Sequence, residues 1–313
     1  MRSGTFPPVA KRSSPPRSQG GSLLEDEGGD LMAAGRALLG WLPDEAAHRL
    51  LCSGRRDLSL SIAAEARLAA AWDGVSRRRP PDPVGVVTPS PPELAAHRVA
   101  LRQVAPAVSD PSYELSMVDL SRVCALAEAV IVECAVARSA SARDLVGLAD
   151  LTLPVTVPST LQPSFDEELS AWVVVSDNPN LRLVGSFSPP ADGAPPGAMA
   201  MGFLVRAEPS RMTVAHFEGR YFLEDGYHRA IGLLSRGIAT VPALVHDVDG
   251  PEWLSVRGML PEECWCGPHP PLLPDYVDDA VSVDVWIPRP QKIIIIRGFE
   301  VAGADRWELV DEY

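Results

Sequence analysis

The stretch Phe222–Gly237, FLEDGYHRAIGLLSRG, constrains this chain more than any other. An apolar run ends in Glu224-Asp225-Gly226 and apolar residues at helical spacing begin at once, so a strand has to become a helix across one glycine. Upstream, RMTVAHFEGRYFLEDG reads as strands Met212–Phe217 and Arg220–Leu223 joined by a tight turn at Glu218-Gly219. Downstream, ATVPALVHDV is a strand with the continuous apolar character of a buried position. Hairpin, helix and strand thus follow one another without a linker.

The first turn of a helix leaves backbone N–H groups without intrahelical partners, and the aligned peptide dipoles add partial positive charge there. Such a turn can hold an anion. Asp225 is the expected cap of these N–H groups, and Gly226 permits a left-handed backbone or a close approach to a ligand. Tyr227 offers an aromatic face or a hydroxyl, His228 a further donor, and Arg229 a guanidinium fork for phosphate oxygens. The plainer reading of the same residues is that Asp caps, Gly turns, Tyr packs, and His and Arg meet water.

Charge narrows the choice of ligand. The chain of 313 residues carries a formal net charge of -13, so its body repels polyanions and nucleic acid is a disfavoured partner. No run reaches the length of uninterrupted apolar residues that a membrane span needs, and no secretory leader pattern opens the chain, which predicts a cytoplasmic protein without a membrane partner. The five cysteines are scattered and odd in number, unlike a disulfide framework. Cys264, Cys266 and His269 in ECWCGPH have soft-ligand chemistry, but the C-x-C spacing is not that of common zinc modules, and the segment reads as a Gly/Pro turn with no metal.

Along the chain, residues 1–30 form a Pro/Ser/Gly-rich leader without periodicity and read as disordered. Residues 31–150 read as a helical region broken by the proline-rich run 79–92, with Met117–Ala137 as a buried helix. Strand character begins near Leu151 and continues through SAWVVVSD, LRLVGSF and AMGFLVRA, so residues 151–250 read as one domain. Residues 251–313 read as an extension in which AVSVDVWI and KIIIIRGFEV form a hairpin across PRPQ.

The unit from Met212 to Val248, with its Asp-Gly-Tyr-His-Arg turn and the return SRGIATVPALV, resembles the central unit of the ParB/sulfiredoxin superfamily. The resemblance implies an α+β protein with a ParB/sulfiredoxin-like mixed sheet at residues 151–250. It also implies nucleotide binding at Asp225, Gly226, Tyr227, His228 and Arg229. ATP or another nucleotide with Mg would be the cofactor, and phosphoryl transfer to a small-molecule acceptor the activity.

Departures limit what carries over. Tyr227 stands where sulfiredoxins have their attacking cysteine, so peroxiredoxin repair is not expected. The glutamate-and-arginine turn and the helix-turn-helix of the chromosome-partitioning proteins are missing. Glu167 and Glu168 in SFDEELS are acids ahead of a strand, and neither is assigned as a base. The alternative is a non-catalytic protein that keeps the fold while its helical region binds a protein partner, or a DNA-associated regulator.

Overall fold

The computed structural model describes residues 32–52, 60–104, 112–139, 144–156, 161–176, 178, 180–188, 201–254, 259–289 and 292–298. The expected leader, the run 189–200 and residues 299–313 lie outside the described residues. The protein is α+β and divides into two units. Residues 32–156 and 209–289 form the first, and residues 161–208 and 292–298 the second.

In chain order the strands of the first unit are β1 (Met32–Ala37), β2 (Val87–Pro89), β3 (Glu114–Asp119) and β4 (Ala129–Ile131). Its early helices are α1 (Asp44–Leu51), α2 (Ile62–Ser76), α3 (Ala95–Val104), α4 (Val132–Ser139) and α5 (Leu145–Thr152). The second unit contributes β5 (Ser164–Asp166), β6 (Ala171–Ser176), β7 (Leu181–Phe187) and β8 (Gly202–Ala207). The first unit resumes with β9 (Thr213–Phe217), β10 (Arg220–Asp225), α6 (Tyr227–Ser235), β11 (Thr240–Asp247), α7 (Glu262–Cys266) and β12 (Val283–Pro288). Strand β13 (Lys292–Ile296) belongs to the second unit.

The central sheet of the first unit has the order β10-β9-β11-β3-β2. Strands β9 and β10 form the hairpin that the sequence predicts. Glu218 and Gly219 both take positive φ, 47° and 74°, the backbone of a primed two-residue turn that matches strand twist. Helix α6 then carries the chain over so that β11 runs parallel to β9, while β11 pairs antiparallel with β3.

Both faces of this sheet are covered. One bears the larger core, which takes Val214, Phe222, Ala230, Ile231, Leu233 and Val241 from the hairpin-helix-strand unit. Burying a Phe, Ile or Leu side chain stabilises by about 1.5–3 kcal/mol, so these residues fix α6 on the sheet. The other face carries a smaller cluster of Leu94, Leu101, Leu115, Ala149, Leu153 and Leu244, with α5 packed along β11.

The helical expectation for residues 31–150 holds only in part, because β1, β2, β3 and β4 lie there. Strand β1 is hydrogen-bonded on both sides, by β12 and β4, and a Cβ at Gly35 would stand 2.8 Å from the Val130 carbonyl oxygen. Tertiary pairing therefore overrides the helix preference of an Ala-rich run. Met117–Ala137 is not a buried helix. It is β3, a 3-10 turn started by the Asp119 carboxylate accepting from the Ser121 N–H, then β4 and α4. An apolar run with many β-branched residues suits a doubly covered strand as well as a buried helix, and periodicity does not separate the two.

The C-terminal hairpin is also corrected. Strand β12 pairs with β1, tied by an ion pair from Arg36 to Asp284 at 2.9 Å, whereas β13 pairs with β6. Likewise residues 151–250 are not one domain, since the described residues from 161 to 208 lie in the second unit. In that unit the order β13-β6-β5 forms one sheet and β7-β8 a separate hairpin. Glu167 and Glu168 are exposed in the turn between β5 and β6. Among the described residues no helix is long and apolar enough to cross a membrane.

Candidate functional site

The predicted turn lies where β10 meets α6. The pairing register of β10 with β9 shifts between Leu223 and Asp225, a bulge that re-aims the end of the strand. Gly226 follows with φ 103° and ψ 14°, and a Cβ there would press on Met212 at 3.2 Å. Only glycine meets both the left-handed backbone and that approach. Helix α6 starts at Tyr227, with Gly226 as its N-cap and no side-chain capping hydrogen bond.

Asp225 is therefore not the cap that the sequence suggested. Both of its carboxylate oxygens lie 2.7 Å from the Ser210 hydroxyl, which donates to them. A bulged strand end followed by a left-handed glycine turns the aspartate back toward the segment ahead of β9. It meets a serine there before it can reach the helix N–H groups.

Tyr227 does not present its hydroxyl to a ligand. That group donates to the Leu223 carbonyl at 2.5 Å and accepts from the N–H groups of Leu126 and Ala127 at 2.7 and 3.3 Å. Burial pushes its pKa far above the usual tyrosine range, and the two N–H donors offset only part of that rise. The ring meets Tyr276 edge-on at 6.3 Å.

Arg229 departs furthest from expectation. It is 6% exposed, and its Nη1 donates to the carbonyls of Leu151, Thr152 and Ser210 at 3.0, 3.5 and 2.7 Å. Its Nη2 donates to the Ser210 hydroxyl at 2.7 Å. An arginine that follows a tyrosine and a histidine at the start of an amphipathic helix falls on the inward face, beside Ala230 and Ile231. The helical period therefore sends it into the fold. His228, by contrast, is half-buried on the first turn.

Ser210 was missed by sequence reasoning, since a serine before a strand carries no motif. The pair Glu224 and His246 was missed as well. Glu224 Oε2 lies 2.6 Å from His246 Nε2, and the imidazole stacks on Tyr113 at 4.5 Å between ring centres. A cleft of about 340 Å³ elsewhere in the first unit is lined by Glu45, Arg49, Glu128, Met259 and Glu262, among others.

The ECWCGPH segment is stitched to the strand-to-helix junction after β1. The Cys264 thiol donates to the Trp41 carbonyl at 2.9 Å, and the Trp41 indole N–H donates to the His269 carbonyl at 2.7 Å. Burial raises the Cys264 and Cys266 thiols above the usual cysteine range. Among the described residues no group of three His, Cys, Asp or Glu side chains converges as metal ligands would.

No family model, curated protein or solved structure matches the chain.

Proposed function

We propose that the first unit binds a nucleotide in the manner of ParB/sulfiredoxin-like proteins, with the phosphates held by main-chain N–H groups at the start of α6. The observation that carries the reading is the left-handed Gly226 between β10 and α6, which starts the helix on a residue with no side chain and so brings the main chain of the first turn within reach of an anion. The succession of hairpin β9-β10, helix α6 and parallel strand β11 supports it by agreeing with the unit that the resemblance describes. Half-buried His228 is the side chain assigned to the phosphates, and Arg229 leaves the proposed ligand set because its guanidinium is used inside the fold. Magnesium with ATP or another nucleotide remains the proposed cofactor, and phosphoryl transfer to a small molecule the proposed activity. Described cysteines without disulfides suit a reducing compartment such as the cytoplasm.

A second reading has its own support. Tyr227, Asp225 and Arg229 are all engaged by internal partners, as expected of a non-catalytic protein that keeps the turn for structure. Thermal shift against ATP, ADP, CTP and GTP with magnesium separates the two. A ligand at one hundred times its Kd adds about 2.7 kcal/mol of stability. A rise in melting temperature with any of the four supports nucleotide binding. No rise with any of them at millimolar concentration, together with no heat in calorimetry, overturns it in favour of the interaction protein.

A further inference from the structure

The partners of Arg229 share one property. Leu151 and Thr152 are the last residues of α5, shortly before the chain leaves the first unit for residues 158–208, and Ser210 is among the first residues after it returns. Alongside, the Met212 N–H donates to the Thr152 carbonyl at 2.7 Å, and the Met212 carbonyl accepts from the Leu244 N–H at 3.0 Å. The outgoing and returning chains are thus bonded to each other, to β11 and to one buried guanidinium. Asp225 balances the guanidinium through the Ser210 hydroxyl that both share at 2.7 Å. Neither core cluster of the first unit takes a described residue from 161–208.

We propose that Arg229 is a clamp on the neck of an inserted segment, so that the first unit keeps its fold whatever is done to the chain between residues 158 and 208. A backbone carbonyl is a strong acceptor for a charged donor, and a guanidinium can serve several carbonyls at once where a neutral side chain cannot. The clamp is a conformational device, and it is independent of whether α6 holds a nucleotide. In the intact chain the covalent loop also keeps the two neck strands near each other, at an entropic cost that grows only slowly with loop length. Cutting the loop removes that tether, and while the β1–β12 and β3–β11 pairings and the shared core still join the fragments, at the neck itself the clamp is what holds the two chains in register.

The test places a specific protease site in the Pro/Gly/Ala-rich run 189–198 of the full chain and compares melts before and after complete cleavage. Expected is a wild-type protein whose two fragments co-elute and whose melting temperature falls by a few degrees at most. In Arg229→Ala the same cleavage should lower it by roughly 5 °C or more beyond the wild-type fall, or release the fragments. Ser210→Ala, which keeps the Ser210 carbonyl, should fall between them and serves if Arg229→Ala does not fold. Equal penalties for cleavage in wild type and variants overturn the clamp, as does separation of the wild-type fragments on cutting.

Discussion

The carboxylate of Asp275 lies 2.5 Å from the guanidinium of Arg78, yet burial leaves this acid harder to ionise than an ordinary aspartate. Its side chain is 3% exposed, and desolvation outweighs both the Leu272 N–H that it accepts and the Arg78 charge, pushing its pKa from 3.8 up to about 6. The folded protein therefore holds this proton across a range in which the unfolded chain has given it up. The stability from this group is fully present below about pH 4 and is lost as pH rises through 6, by up to about 3 kcal/mol. Asp275→Asn keeps an oxygen for the Leu272 N–H, and Arg78 keeps Asp278 at 2.5 Å. Urea unfolding from pH 4 to 7.5 should show the variant losing less stability with rising pH than wild type does. A variant destabilised by the same large amount at every pH would mean that the Arg78 pair outweighs burial.

Gly226 and Gly219 both take positive φ, but only Gly226 is crowded, by Met212. Gly219 has no atom within 4 Å of an added Cβ. Gly219→Ala should cost about 1 kcal/mol from backbone strain alone. Gly226→Ala should cost more, about 2–4 kcal/mol, because strain and overpacking add. Equal midpoints for the two in urea would show that Met212 yields without cost.

Tyr227→Phe removes one oxygen and strands the N–H groups of Leu126 and Ala127 and the carbonyl of Leu223. The ring and its contact with Tyr276 stay. A loss of about 2–4 kcal/mol is expected, above the usual worth of a single hydrogen bond, because three backbone groups lose their partner at once and two of them belong to the buried Leu126 and Leu223. A cost under about 0.5 kcal/mol would show water reaching the hydroxyl.

The hairpin, α6 and β11 were legible because each has a local signal: Glu-Gly between strands, an Asp-Gly break, and an amphipathic run closed by Gly237. Strand β1 was not, since MAAGRA becomes a strand through its pairing with β4 and with β12, which lies some 250 residues further along. The turn's residues were found but its chemistry was read outward. A helix start shows which groups are close in sequence, while whether Arg229 faces a ligand or Leu151 depends on segments far along the chain. Ser210, the common partner of Asp225 and Arg229, becomes visible only when those segments meet.

The sequence suggested that Arg229 is an exposed ligand arginine, in which case its loss would cost at most about 1 kcal/mol of stability and roughly tenfold to a hundredfold in nucleotide affinity. The structure reverses the expectation for stability, because Arg229 is 6% exposed and bonded inside the fold. Arg229→Ala removes the donor shared by the Leu151, Thr152 and Ser210 carbonyls and opens a space in the fold, so apo stability should drop by about 2–4 kcal/mol in urea unfolding. Arg229→Lys keeps a charge but has a compact ammonium in place of the fork, and should recover part of that loss. If nucleotide shifts the wild-type melt through main-chain N–H groups, the Lys variant should bind within a few-fold of wild type, measured by calorimetry well below its melting temperature. An Arg229→Ala protein as stable as wild type but unable to bind nucleotide would return the arginine to the ligand site, and the internal bonds would then be what it releases on binding.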